Sequence, residues 1–98
     1  MQTLDWGHVT PEAFDISKNE YHYIHNHDLS TPEKVERTIR FIIGRLRHYE
    51  IHLPYNPKHH VKIDARGQQI TEATCDHIKH EILTRHSISN QPIVTIIK

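Results

Sequence analysis

The chain has 98 residues, enough for one hydrophobic core and too few for two, so a single domain over 1–98 is expected. Twelve Lys and Arg balance twelve Asp and Glu, which excludes a global electrostatic pull toward nucleic acid or an anionic membrane and leaves recognition to local patches. No apolar run reaches the roughly 18 to 20 residues that span a bilayer, so no membrane insertion is expected.

Histidine is the outlier in composition, with 11 residues, and imidazoles titrate near neutral pH, so mild acid is expected to make the chain cationic. Cys75 is alone, which rules out an intramolecular disulfide and a cysteine-based zinc site without other ligands. Action in a reducing compartment, the cytoplasm, is the simplest expectation. Met1 to His8 lacks a charged region followed by an apolar one, so no export signal of its own is expected.

Thr10-Pro11-Glu12 combines a capping hydroxyl, a proline at a first helical position and an early acid, and predicts a short helical turn through Phe14 and Ile16. Trp6, Phe14 and Ile16 are expected to fold this piece onto the core. The run from Glu20 to His25 is aromatic and β-prone and predicts a short strand. Ser30-Thr31-Pro32-Glu33 then opens a helix to about Tyr49, capped by Thr31 or by a Ser30–Glu33 capping box.

In that helix Val35, Ile39, Ile42, Ile43, Leu46 and Tyr49 recur at spacings of three and four and define the buried face. Arg37, Arg40, Gly44, Arg47 and His48 lie opposite, flanked by Lys34, Phe41 and Arg45. An aromatic among arginines is more than an ordinary solvated stripe, so Arg37, Arg40, Phe41 and Arg47 are the candidate nucleic-acid-binding residues.

The prolines of Leu53-Pro54-Tyr55-Asn56-Pro57 predict a turn. Val61, Ile63 and Ala65 alternate with polar residues as a strand, ended by Arg66-Gly67-Gln68. Thr71 caps a second helix with Cys75, Ile78 and Ile82 on one stripe, and Asn90-Gln91-Pro92 leads into a strand from Ile93 to Ile97. Strand, helix and strand of these lengths make a βαβ unit with parallel strands and a right-handed crossover. The expected fold is therefore α+β: a small two-layer domain with a C-terminal βαβ unit and the long amphipathic helix packed on the sheet.

Two segments carry candidate chemistry. Asp64 and Arg66, with Gly67, Gln68 and Thr71, follow a parallel strand, a favourable position for a site, although a tight βα turn with Asp64 and Arg66 paired or solvated is the plainer reading. His22, His25 and His27 lie in Tyr21-His22-Tyr23-Ile24-His25-Asn26-His27-Asp28, where His25 and His27 share one side of a strand with His22 or Asp28 nearby. Imidazole and carboxylate donors suit zinc, nickel or copper. The same histidines, with Arg37 or Arg40, also suit metal-free cleavage of RNA through its 2′-hydroxyl, so whether a metal is used stays open. His77, His80 and His86 read as solvated, and Cys75 as a small buried thiol.

The stretch Val61-Lys62-Ile63-Asp64-Ala65-Arg66-Gly67-Gln68-Gln69-Ile70-Thr71, with the helix and the Pro92 to Lys98 strand after it, resembles the C-terminal toxin domains of bacterial polymorphic toxins and contact-dependent inhibition systems. Met1 to Leu29 has no counterpart. The resemblance implies a toxin tip delivered as part of a larger polypeptide, acting on nucleic acid as an RNase or DNase and neutralised by a cognate immunity protein. Three readings therefore compete: a toxin nuclease, a non-catalytic protein- or nucleic-acid-binding module using the basic face of helix 32–49, and a histidine-based metal carrier whose binding depends on His25 and His27.

Overall fold

The computed structural model describes residues 3–6, 9–15, 17–52 and 56–98, with side chains for the last two segments. Seven elements follow one another: β1 (Thr3–Trp6), β2 (Val9–Asp15), β3 (Glu20–Asn26), α1 (Pro32–His52), β4 (Lys58–Asp64), α2 (Glu72–Arg85) and β5 (Ile93–Ile97). The strands lie in the order β1-β2-β3-β4-β5 in one open sheet. The first three pair antiparallel, and β3, β4 and β5 are parallel, joined through the two helices. This is the α+β architecture expected, with the parallel unit extended to βαβαβ.

The caps follow the sequence. The Thr31 side chain accepts a hydrogen bond from Lys34 N at 3.2 Å, and Thr71 from Thr74 N at 3.1 Å, satisfying amides left open at each helix start. Helix α1 runs three residues past the predicted end at Tyr49. Strand β4 begins at Lys58, so His59 and His60 are strand residues.

The helix expected at Thr10-Pro11-Glu12 is not formed; these residues belong to β2. The ladder with β3 runs from Glu12↔Tyr23 to Asp15↔Glu20, leaving Pro11 beyond its end, and pairing with β1 is irregular opposite the same stretch. Proline is tolerated in a strand at such a break, where no ladder donor is required. Antiparallel pairing thus overrides a purely local start signal. The side chains of Trp6, Phe14 and Ile16, and the turn residues Leu53 to Tyr55, lie outside the described residues.

The core lies between the sheet and the helices. Tyr21 and Tyr23 of β3 and Val61 and Ile63 of β4 pack against Ile39, Ile42 and Leu46 of α1 and Ile78 and Ile82 of α2, all buried. Tyr21 stacks on Tyr49 at 4.5 Å between ring centroids and meets the buried His59 edge-on at 5.3 Å. Ile43, expected on the buried face, is only half-buried. Cys75 is buried on the α2 stripe, as expected. The alternate positions Glu20, His22, Ile24 and Asn26 of β3, and Lys58, His60 and Lys62 of β4, occupy the opposite face, over which no helix packs among the described residues.

Ile39→Ala removes a fully buried side chain at the centre of this layer and is expected to cost about 2–5 kcal/mol, read from urea unfolding. Ile51→Ala, at a position 72% exposed, is expected to stay within about 0.5 kcal/mol of the parent.

Candidate functional site

Parallel strands deliver their C-terminal ends to one edge of the sheet, and α1 begins there. The end of β3 and the first turns of α1 enclose a groove of about 430 Å³ lined by His25, Asn26, His27 and Asp28 from one side and Lys34, Arg37, Thr38 and Phe41 from the other. His25 and His27, two residues apart, share the helix-covered side of the chain, as period-two alternation predicts. Their ring centroids are 5.7 Å apart, and Phe41 lies 6.0 Å from His25 and 5.5 Å from His27. Of the two arginines expected to act with these histidines, Arg37 lines the groove and Arg40 does not.

Burial, reinforced by the neighbouring His25, pushes the His27 imidazole down to about 4, so it is a neutral base at physiological pH. Its Nε2 stands 3.4 Å from the Tyr23 hydroxyl. Asp28 accepts hydrogen bonds from Ser30 N at 3.0 Å and Lys34 Nζ at 2.8 Å, and these hold its carboxyl at about 2. Arg37 is exposed at the groove and has no ion pair among the described residues. Arg40, by contrast, is engaged by Glu36 at 2.9 Å, and Arg85 of α2 closes on the same carboxylate at 2.7 Å. Arg47 is exposed but lies outside the groove.

The Asp64 to Gln68 segment is an ordered turn. Asp64 is buried and takes a two-point ion pair from its own neighbour: Arg66 Nε donates to Oδ1 at 2.9 Å and Nη2 to Oδ2 at 2.8 Å. The Arg66 amide adds a third bond at 3.1 Å, and together these hold the Asp64 carboxyl near 2. Gly67 has φ +85°, and Gln68 N donates to Ala65 O at 3.1 Å, the pattern of a type II turn with glycine at its third position. The Gln68 side chain then crosses to the other loop, accepting from Leu29 N at 2.8 Å through Oε1 and donating from Nε2 to His27 O. This clip fixes the backbone that carries His27 and Asp28.

His22 is separated from His25 and His27, because an odd spacing places it on the opposite, open face. There it meets His60, its register partner on β4, with the rings stacked 4.7 Å apart and 6° from parallel. Glu20 reaches both, with Oε1 at 3.4 Å from His22 Nε2 and Oε2 at 3.2 Å from His60 Nε2. Burial alone would push the Glu20 carboxyl up, but the two imidazoles outweigh it and hold it below its ordinary value. The alternation Glu20-x-His22 signalled part of this cluster in the sequence; His60 joins it only through inter-strand register.

Gln68→Ala removes both bonds of the clip and strands Leu29 N–H and His27 C=O, an expected loss of about 1–3 kcal/mol in urea unfolding. Unchanged stability would show that the loops are held by other contacts.

Acid sensitivity follows from depressed values. His27 is lowered to about 4, and His59 is lowered by burial against a weaker upward pull from Glu50. The unfolded chain takes up these protons near the ordinary value of 6.5. The stability due to the neutral rings is therefore complete above that value and falls as pH drops toward 4. Asp28, Glu36 and Asp64, each held at about 2, add a second loss as pH falls from about 4 toward 2. Urea midpoints measured across this range should decline in two stages, and a single stage confined to the carboxylate window would refute the histidine contribution.

Compared with protein-family models, curated proteins and solved structures, the chain finds no match to any of them.

Proposed function

We propose that the chain is a small toxin-type effector domain that cleaves RNA in the groove between the end of β3 and α1. The observation that carries this reading is the meeting of His25 and His27 with Arg37 and Phe41 around one cavity. In this scheme the neutral His27 takes the proton of a ribose 2′-hydroxyl as that oxygen attacks phosphorus. Arg37 stabilises the charge on the phosphorane, and His25, entering the step as an imidazolium, gives its own proton to the departing 5′-oxygen. Phe41, 46% exposed at the rim, offers a face on which a base can stack. The Asp64 to Gln68 turn has a positioning part, since its Gln68 holds the His27 backbone.

The resemblance of the Val61 to Lys98 segment to polymorphic toxin tips supports the same reading. It adds delivery on a larger polypeptide, action in the cytoplasm of the recipient and a cognate immunity protein as partner. A binding module using the α1 face is the alternative, favoured by exposed Arg37, Phe41 and Arg47 and weakened by the engagement of Arg40 with Glu36.

The test is incubation of the domain with total RNA, transfer RNA and plasmid DNA, with a chelator and with divalent metals. Metal-independent RNA cleavage is expected, lowered by about 10²–10⁴-fold in His27→Ala with native circular dichroism retained, and little changed in Arg47→Ala. RNA binding without turnover, weakened by Arg37→Ala and Arg47→Ala, would replace the nuclease reading with the binding module.

A further inference from the structure

We infer that Glu20, His22 and His60 form a zinc-type metal site on the open face of the sheet, separate from the groove. One ligand atom from each residue lies within 4.8 Å of the others, a convergence that no other trio of histidine, cysteine and acid residues reaches among the described residues. The donor chemistry is that of zinc: two imidazole nitrogens and one carboxylate, leaving a fourth position for water.

The geometry is close to what the ion demands. Bonds of about 2.0–2.1 Å in a tetrahedron place neighbouring ligand atoms about 3.3 Å apart. The Glu20 carboxylate stands between the two rings, with Oε1 at 3.4 Å from His22 Nε2 and Oε2 at 3.2 Å from His60 Nε2, and one ligand atom from each residue already lies within 4.8 Å of the others. Binding needs only the two stacked imidazoles to turn their Nε2 atoms toward a common point. His60 Nε2 is shielded from solvent and makes no aligned hydrogen bond, although Glu20 is near, so a polar atom stands without a hydrogen-bond partner inside the cluster. The other side chains leave access for an ion, with His22 40% and Glu20 26% exposed.

The backbone pre-arranges the set. His22 and His60 are register partners on adjacent parallel strands, and Glu20 is two residues from His22 on the same face. Forming the site therefore requires side-chain rotation and no chain movement. A bound ion would also tie β3 to β4 at the N-terminal part of their ladder, the opposite end from the groove.

Calorimetric titration of the whole chain with zinc tests this. One equivalent is expected to bind and to raise the unfolding temperature. His22→Ala, His60→Ala and the near-isosteric Glu20→Gln are each expected to weaken binding by more than about tenfold, since even outer-sphere changes commonly cost that much. The exposed α1 pair His48 and His52, with rings 4.5 Å apart, is the competing chelator, and a double His48→Ala, His52→Ala variant is expected to bind normally. His25→Ala and His27→Ala are likewise expected to retain binding, which separates this site from the groove. Cobalt substitution should give the visible absorption of a four-coordinate centre in the parent and not in Glu20→Gln. No binding by the parent, undiminished binding by the three site variants, or loss only in the α1 double variant would overturn the inference.

Discussion

The in-register parallel pairing of β3 with β4 is the constraint on which the rest of the molecule depends. It runs without interruption from Glu20↔Lys58 to Asn26↔Asp64. On one side it aligns Tyr21, Tyr23 and His25 with His59, Val61 and Ile63, the floor of the core; on the other it aligns His22 with His60. Because side chains alternate, a slip of one residue would exchange these faces and place the tyrosines in solvent. The burial of Tyr21 and Tyr23 thus also fixes the geometry of polar clusters that contribute little to the core.

Parallel pairing further decides where chemistry can gather. The strands end together, and the loops leaving β3 and β4 lie side by side, close enough for Gln68 to bond the backbone of residues 27 and 29. The Asp64–Arg66 pair sits in this arrangement as a self-contained turn lock. Its charges are matched within two residues, whereas the Arg37 charge beside His27 is not matched among the described residues. Through Gln68 the same turn also supports the loop that carries His27 and Asp28.

The helices, β4 and β5 were legible in the sequence because each has a local cause: a threonine cap, an apolar stripe, or a short alternating run closed by glycine or opened by proline. The β2 strand was not, since Thr10-Pro11-Glu12 is a good helix start taken alone and only pairing with β3 makes it a strand. The same division holds for the candidate sites. That His25 and His27 face one way follows from strand alternation, and that Arg37 and Phe41 are neighbours follows from the helical repeat. Their meeting depends on how α1 crosses the sheet. The odd spacing of His22 from His25 and His27 places it on the other face, and His60 has no sequence signal linking it to Glu20, because the 31 residues between β3 and β4 intervene.

Among the described residues the sheet is open, and β5 forms one of its edges with Ile93-Val94-Thr95-Ile96-Ile97. These residues have the β-branched, uncharged composition that templates addition of a further strand, and Ile93 is 43% exposed. Pro92 immediately before the strand and Lys98 immediately after it, the latter held by Glu72, bracket the run with residues that interrupt such growth. An edge strand of only five residues, flanked by a proline and a lysine, carries the features by which sheet edges oppose the addition of further strands.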